Sequence, residues 1–335
     1  ASYSGGGYKR LYEYAKDLNH RGGAHFIIHP NCESLTQLFR NNCYHVAIQS
    51  PAQRFFGDCG YLKPILKNIG VPDLYYSYGI PIYSKVGLVN WFHLSNVLPL
   101  APRGITIGPL AYLKVLELGR RIRKNLFNAS VISAESQFSL RALGSESMQR
   151  HFLSVNGADD ELELLAGNKV FPKSNIAVVI GTYRYKALHE SYRVFNMLRK
   201  ASKNELKLVI IGPKKDIPAK ISGDKNVVIR GLISQKKVVE CLQGAKFYIS
   251  TTQVENSYNA ASEGIFFAEE SYISNIGPHQ ELLSETPTEL VSIPGVYSAL
   301  IKIKRENING NKLQTWAQVI EQMMMKIQRT IPNEK

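Results

Sequence analysis

Two glutamates stand eight residues apart in the segment ENSYNAASEG, residues 255–264. An apolar run ends just before it at Ser250 and helical spacing follows over Asn259–Phe267, which predicts a strand, a loop and a helix. Glu255 would lie in the loop and Glu263 in the helix, where their carboxylates can accept hydrogen bonds from neighbouring sugar hydroxyls. Backbone amides that open the helix suit an anion, and they belong to Asn256, Ser257 and Tyr258. The pattern favours a sugar-nucleotide site, although such glutamates also serve as a complement to the helix dipole or as surface charge.

Basic side chains follow the strand predicted over Asn175–Gly181, in the stretch GTYRYK. Side chains at the carboxyl end of a parallel strand face the crevice where α/β proteins bind ligands. Arg184 and Lys186 could therefore neutralise a diphosphate. A solvated basic loop is the alternative that this stretch alone leaves open.

Three glycines, Gly5, Gly6 and Gly7, lead directly into a helix predicted over Tyr8–Leu18. A glycine turn at a helix start presents free amides to a phosphate, but triple glycine is also typical of plain flexible chain. Because such loops follow a strand, we expect the first strand of this domain to precede the numbered residues.

The composition is that of a globular protein with an excess of positive charge. The 335 residues include 44% apolar residues, and 41 Lys+Arg less 27 Asp+Glu give +14. The excess is spread over both halves, without a basic tail of the kind that binds nucleic acid. No apolar run approaches the ~20 residues of a membrane span, no signal peptide is visible, and the four cysteines show no metal-binding spacing. These features predict a cytoplasmic protein with reduced thiols, whose charge serves either a polyanionic partner or solubility alone.

Apolar runs alternate with amphipathic stretches along the whole chain, which predicts an α/β protein with parallel sheets. We expect two doubly wound, Rossmann-like domains, residues 1–168 and 175–312, with a ligand cleft between them. A long amphipathic helix over residues 313–329 would cross back onto the first domain.

The order of elements around these motifs resembles the donor-binding half of glycosyltransferase family 4, retaining enzymes of the GT-B architecture. The resemblance covers residues 175–283 and is most specific in the spacing of Glu255 and Glu263 within this strand order. It is more diffuse over residues 1–150. It implies transfer of a sugar from a nucleoside-diphosphate sugar to a glycan or lipid-linked acceptor, without a metal or other cofactor, in bacterial polysaccharide or glycolipid synthesis.

The resemblance also implies roles for single residues. Lys186 and Arg184 would bind the donor diphosphate, Glu255 the donor sugar and Glu263 the ribose. Gly231 and Leu232 would lie beside the base, and the amides of Asn256, Ser257 and Tyr258 near the sugar hydroxyls or phosphate. Gly6 and Gly7 would approach the phosphates or the acceptor. His93 would correspond to the histidine that the family has near the reacting sugar. From its position at the end of an apolar strand alone, His93 is equally well a packed strand-end histidine.

The sequence departs from the family pattern at two places. Thr182 follows Gly181 where the family has an arginine, and the loop to Lys186 is one residue short, so Arg184 would have to supply the second cation. Residues 256–258 read NSY where the family has Gly-Phe-Gly, so the identity of the donor cannot be carried over.

Residues 110–127, LAYLKVLELGRRIRKNLF, carry five cations against one glutamate. Basic helices with leucine and phenylalanine can lie in an anionic membrane interface, and this one would attach the protein peripherally to the inner face of the plasma membrane. A core helix with a solvated basic face is the alternative.

Two other functions fit parts of the pattern. A sugar-nucleotide epimerase of the same architecture would convert its donor without an acceptor. A non-catalytic polyanion or nucleic-acid binder would need a basic stripe with stacking aromatic residues, which this distribution of charge does not favour.

Overall fold

The computed structural model describes residues 6–28, 42–46, 60, 62–101, 104–144, 149–158, 174–203, 205–308 and 313–330. The strands are β1 (Phe26–Ile28), β2 (Cys43–His45), β3 (Leu74–Tyr78), β4 (Val89–Leu94), β5 (Val131–Ala134), β6 (His151–Leu153), β7 (Ile176–Ile180), β8 (Lys207–Ile211), β9 (Val227–Gly231), β10 (Phe247–Ser250), β11 (Glu270–Ser274), β12 (Glu289–Val291) and β13 (Leu300–Lys304). The helices are α1 (Gly6–Arg21), α2 (Leu62–Ile69), α3 (Pro109–Asn125), α4 (Gln137–Ala142), α5 (Leu188–Ala201), α6 (Ala219–Ser222), α7 (Gln235–Gln243), α8 (Asn259–Phe267), α9 (Gly277–Leu282) and α10 (Trp316–Thr330).

The chain divides into two compact units. Unit 1 comprises Ala1–Leu100, Leu116–Ala158 and Gln314–Lys335, and unit 2 comprises Ala101–Val115 and Asp159–Leu313. Residues 101–115, which the sequence assigned to the first domain, therefore group with the second. Hydrogen bonds within unit 2 explain this grouping, since Thr106 is bonded to Gln253 through both its backbone amide and its hydroxyl.

Unit 1 contains a parallel sheet of order β3-β4-β5-β6 and a separate parallel pair, β1 and β2. All six residues of β4 are buried, as expected for a central parallel strand covered on both faces. The carboxyl ends of its neighbours β3 and β5 lie at the same edge of the sheet, so side chains that follow these strands converge there.

Helix α10 packs on the core of unit 1. Its apolar face, at helical spacing, joins Tyr14, Val89, Trp91 and Val131 in one buried cluster, and it consists of Trp316, Val319, Ile320, Met323 and Ile327. The indole of Trp316 requires a glycine opposite it, because a Cβ on Gly157 would lie 2.6 Å from that ring.

Unit 2 contains a seven-stranded sheet of order β12-β13-β11-β10-β7-β8-β9. Five strands, β7 to β11, are parallel, while β13 runs antiparallel to β11 and β12 antiparallel to β13. The chain adds β8 and β9 on one side of β7, then returns to place β10 and β11 on the other. The direction of winding thus reverses between β7 and β10.

Candidate functional site

The reversal of strand order in unit 2 creates a crevice. The loop after β7 leads through α5 to β8 on one side of β7, and the loop after β10 leads through α8 to β11 on the other side. Open α/β sheets bind ligands at such a point. Lys186 lies on the first loop and Glu255 on the second. The two stretches that the sequence singled out therefore meet at one place.

Lys186 and Glu255 form an ion pair and a hydrogen bond across this crevice. Their side chains are 15% and 21% exposed, so the pair is shielded but open to solvent. Gly181 lets the lysine stem lie across the end of β7: its φ is +94°, and a Cβ there would be 3.1 Å from Lys186 Cε. Beneath the ammonium, 5.9 Å away, lies the ring of Tyr185. Burial, and then the charge of Glu255, raises the pKa of that phenol, so Tyr185 remains protonated.

Hydrogen bonds join the two loops. The amide of Gln253 donates to the carbonyl of Tyr185 at 2.8 Å. Thr251 Oγ1 donates to the carbonyl of Ala187 at 3.0 Å and lies 2.7 Å from Ser191 Oγ. These contacts fix the positions of Lys186 and Glu255 before any ligand arrives, which is the condition for electrostatic stabilisation at low reorganisation cost.

Ala187 has an unusual backbone conformation between the lysine and helix α5. Its φ of 47° and ψ of 48° are left-handed, a region that costs a residue with a Cβ about 1–2 kcal/mol. The turn ends the short 3₁₀ helix Arg184–Lys186 and begins α5. The strained residue directly follows Lys186, the side chain predicted to bind phosphate. Strained backbone conformations of this kind are concentrated at functional sites in proteins.

Arg184 lies on the same turn as Lys186 but does not share its ion pair. Its guanidinium is placed beside Gly108, where an added Cβ would be 3.4 Å from it. Gly108 immediately precedes α3, and its carbonyl accepts from the amide of Tyr112. Arg184 thus adds a second, exposed cation close to Lys186 in the sequence, directed towards the start of α3.

The second glutamate belongs to α8. This helix begins at Asn259, and the carbonyl of Tyr258 accepts the amide of Ser262 at 2.7 Å. Residues 256–258 form the approach to the helix, and Ser257 Oγ donates to Asn259 Oδ1 at 2.5 Å. The amides predicted to open the helix therefore stand just before its first turn.

Glu255 and Glu263 lie around one buried ring, that of Tyr248 in β10. Burial is the main cause that raises the pKa of this phenol, and the negative charges of both glutamates raise it further. Helix α8 approaches the ring closely through Gly264, where an added Cβ would lie 2.2 Å from Tyr248 Cδ1. A glycine at this position brings the helix that carries Glu263 onto the strand that leads to Glu255.

Gly231 and Leu232 lie at the other side of β8, at the end of edge strand β9. Gly231 has a φ of +70°, and its nearest neighbour is Lys214 Cε, 3.6 Å from an added Cβ. Leu232 is 69% exposed. Two strand spacings separate β9 from β7, so Gly231 and Leu232 lie about 10 Å to the side of the pair of Lys186 and Glu255.

Sequence reasoning missed His279, which is buried at the start of α9. Its Nδ1–H donates to the carbonyl of Ser274 at 2.7 Å. Burial lowers the pKa of its imidazole, with the charge of Glu255 opposing the shift and that of Lys186 adding to it. His279 is therefore within electrostatic range of the ion pair. Its position just after the carboxyl end of β11 was the available signal.

In unit 1, His93 lies in β4 and its side chain is fully buried. Its ring stacks on Tyr78 at 5.3 Å, and Nδ1 lies 2.7 Å from Ser133 Oγ. Gly6 and Gly7 form the first turn of α1, which starts two residues before the predicted Tyr8 because glycine does not prevent a helix from starting. Amides of a first turn remain free for an anion, while Gly5 lies outside the described residues.

Within the described residues, no group of three or more His, Cys, Asp or Glu side chains is placed to hold a metal ion. In the same part of the chain, none of the helices combines the length and the apolar character that crossing a membrane requires.

Comparison with known proteins gives likeness in structure alone. No protein-family model and no curated protein matches the chain. The structure of WaaG, a glycosyltransferase involved in lipopolysaccharide biosynthesis, is similar with a TM-score of 0.56 at 12% identity, over 97% of this chain and 87% of that one. The α,α-trehalose-phosphate synthase (UDP-forming) from Burkholderia xenovorans has a TM-score of 0.51 at 13% identity, over 82% and 72%.

The alignment with a third glycosyltransferase structure is partial. TarM from S. aureus, in a complex that includes UDP, matches at 15% identity with a TM-score of 0.46, over 72% of this chain but only 44% of that one. The chain thus spans less than half the length of that protein. The two better matches show that the chain has the α/β fold of GT-B glycosyltransferases, which confirms the predicted fold class.

Proposed function

We propose that this protein is a retaining glycosyltransferase that moves a sugar from a nucleoside-diphosphate sugar to a glycan or lipid-linked acceptor. One observation carries the proposal: the pair of Lys186 and Glu255 at the reversal of strand order between β7 and β10. A cation and a hydroxyl-accepting carboxylate at that point suit the two halves of a sugar diphosphate.

The chemistry would be mainly electrostatic. As the bond between sugar and diphosphate breaks, negative charge develops on the diphosphate, and a cation fixed in advance stabilises it. Lys186 would meet this charge, and Arg184 would add a second cation in place of the arginine that the family pattern has at the position of Thr182. Donor entry would require the ammonium of Lys186 to exchange part of its contact with Glu255 for phosphate oxygens, which leaves Glu255 to accept from the sugar hydroxyls.

The remaining contacts follow from the positions of the loops. Glu263, one turn into α8, would accept from the ribose hydroxyls, and the amides of residues 256–258 would face the phosphate or sugar. Leu232 and Gly231 would lie along the base, about one nucleoside length from the ion pair. In unit 1, His93 would lie near the reacting sugar, and Gly6 and Gly7 would contact phosphate or acceptor. The proposed donor nucleotide is UDP, as in the name of the B. xenovorans neighbour.

We also propose that α3 holds the protein on an anionic membrane surface at the cytoplasmic face. Leu110 and Leu113 are 76% and 63% exposed near the start of α3, where Lys114 is also exposed, and Lys124 is exposed near its end. Arg120 and Arg121 are both bonded to Glu117, so they contribute less to a lipid surface than the composition indicates. Exposed leucines and lysines on one helix match the chemistry of an acidic lipid interface.

A thermal-shift panel of UDP, GDP, ADP, CMP and dTDP tests the donor site. We expect UDP to raise the Tm more than the other nucleotides do, and Glu263→Ala to abolish that shift. Glu240→Ala on the exposed face of α7 in the same unit is the matched control and should retain it. A transferase releases the nucleotide from the nucleotide sugar only when a glycan or lipid acceptor is added. An epimerase converts the nucleotide sugar without an acceptor. No shift with any nucleotide would contradict the proposal.

A further inference from the structure

A chain of buried polar side chains surrounds His93 in unit 1. Trp91 Nε1 lies 2.7 Å from Ser133 Oγ, and His93 Nδ1 lies 2.7 Å from the same oxygen. On the other side of the ring, His93 Nε2 lies 3.5 Å from Glu135 Oε1. Glu135 follows β5 directly and is only 4% exposed.

The direction of these hydrogen bonds determines the tautomer of His93. An indole N–H can only donate, so Ser133 Oγ accepts from Trp91. The serine hydroxyl then needs an acceptor for its own hydrogen, since buried hydroxyls are almost always satisfied. His93 Nδ1 is that acceptor among the described residues, which leaves the imidazole proton on Nε2, directed at Glu135.

The charge of Glu135 is balanced by Arg10 rather than by a protonated histidine. Arg10 Nε lies 3.6 Å from Glu135 Oε1, and Arg10 is completely buried. Its five N–H groups all have acceptors: Asn156 Oδ1, Tyr14 OH, Ser154 Oγ, and the carbonyls of Ser154 and Val155. A guanidinium held in this way stays charged and fixed.

A second proton on His93 would therefore be unfavourable. The imidazole is enclosed by the rings of Tyr76 and Tyr78 from β3, by Trp91 and Ser133, and by the two charged groups. Burial is the main cause that lowers its pKa to about 4, and Arg10 lowers it further while Glu135 opposes the shift. His93 is thus neutral at physiological pH.

We propose that Ser133 and Glu135 are the positioning residues of His93, which they hold as a neutral imidazole with its proton on Nε2. Within the proposed function, His93 would therefore contribute as a neutral imidazole and not as an acid. Nε2 has no hydrogen bond closer than the 3.5 Å contact with Glu135 among the described residues.

Nitrogen NMR of the full chain labelled with ¹⁵N-histidine tests the tautomer without a substrate. The signal of His93 is identified among the eight histidines by its loss in His93→Gln. We expect a protonated Nε2, an unprotonated Nδ1 and no titration between about pH 6 and pH 8. A proton on Nδ1, or a signal that titrates in this range, would overturn the proposal from the wild-type spectrum alone.

Two serine variants test the cause of the tautomer. In Ser133→Ala the Nδ1 partner is lost, and we expect both tautomers to appear; Ser133→Thr keeps the hydroxyl and should restore the single form. An unchanged tautomer in folded Ser133→Ala would show that Ser133 does not set it.

The role in transfer rests on the proposed function and is measured separately. Glu135→Met should lower kcat about 10- to 100-fold, the range known for groups that orient metal-bound histidines, with little change in KM for the donor. Glu135→Gln, which keeps an acceptor, should recover most of the rate. If nucleotide binding in unit 2 fails, the proposed function falls and the NMR result stands; if binding holds and Glu135→Met retains full kcat, the inference is wrong.

Discussion

The ammonium of Lys186 is paired with the carboxylate of Glu255 across the gap where the strand order of unit 2 reverses. Neither side chain is sealed from water, and both are fixed by backbone contacts between their loops. The arrangement keeps a cation and an acceptor ready at the carboxyl ends of β7 and β10, and the predictions below concern this pair and its surroundings.

Removing the lysine leaves a shielded carboxylate without its partner. We expect Lys186→Met to abolish the nucleotide-dependent rise in Tm and to lower the free energy of unfolding by about 1–2 kcal/mol, between the values for exposed and buried pairs. Denaturant titration measures the second effect. Adding Glu255→Gln to Lys186→Met should recover part of the stability but none of the nucleotide binding. Lys200→Met, at an exposed position of α5, is the control. If this variant lost as much stability and nucleotide binding as Lys186→Met, the interpretation would be contradicted.

The left-handed backbone of Ala187 should be relieved by glycine. Because its φ is 47°, we expect Ala187→Gly to be neutral or to stabilise unit 2 by up to about 1 kcal/mol, the steric cost less the added chain entropy. Ala111→Gly, on the exposed part of α3, should instead destabilise by about 0.5–1 kcal/mol. Thermal unfolding of the two variants compares them directly. A loss at Ala187 as large as that at Ala111 would show that Ala187 is not strained.

The contact between α8 and β10 should not tolerate a larger side chain. A Cβ at Gly264 would enter the ring of Tyr248, so we expect Gly264→Ala to cost about 1–3 kcal/mol through overpacking and to weaken nucleotide binding by displacing Glu263. Tyr248→Leu makes room, and the double variant should be less destabilised than the sum of the single changes. Additive effects in a denaturant double-mutant cycle would argue against direct contact.

The buried histidine of unit 1 should make stability depend on acidity. The pKa of His93 is about 4 in the folded chain against 6.5 for the ordinary group, so the unfolded state takes up the proton first. Neutral His93 therefore contributes up to about 3 kcal/mol to the free energy of unfolding above about pH 6.5, and this contribution is lost as the pH falls towards 4. Denaturant titrations at several pH values should show a shallower acid limb in His93→Gln. His20→Gln at the exposed end of α1 should keep the wild-type slope, and an equally steep His93→Gln curve would refute the assignment.

Membrane attachment through α3 should depend on its exposed lysines. We expect Lys114→Gln/Lys124→Gln to reduce sedimentation with anionic vesicles at least several-fold, since each lysine near such a surface contributes about 1 kcal/mol. The exposed pair on α7, Lys236→Gln/Lys237→Gln, removes the same charge elsewhere and should bind as the wild type does. Equal losses in both variants would point to net charge alone, and no preference for anionic over neutral vesicles would exclude the attachment.

The elements around Glu255 and Glu263 were predictable because local sequence specifies them. Strand β10, the start of α8 and the spacing of Glu255 and Glu263 lie within about 20 residues, and their periodicity gives the order strand, loop, helix. Helix α8 was predicted with its observed bounds. The neighbourhood of Lys186 and Glu255, 69 residues apart, followed only from the strand order that the α/β pattern implies.

Other features depend on residues far apart in the sequence and could not be predicted from local patterns. Strand β3, LYYSY, was missed because its tyrosines are amphipathic and its burial is uneven. The antiparallel additions β12 and β13 carry no signal that distinguishes their direction. The buried position of Arg10 could not be predicted, because nothing local shows that Asn156 and Ser154 receive its guanidinium more than 140 positions later.

The reversal of strand order also bears on how the protein folds. The contact of Lys186 with Glu255 closes a loop of 69 residues that contains β8 and β9, and it forms when β10 takes its place beside β7. Hairpins and helical turns close much shorter loops, so they lose less conformational entropy and form earlier. Nucleotide affinity should consequently appear as one of the last properties gained during refolding, so the crevice reports on completion of the sheet as well as on its ligand.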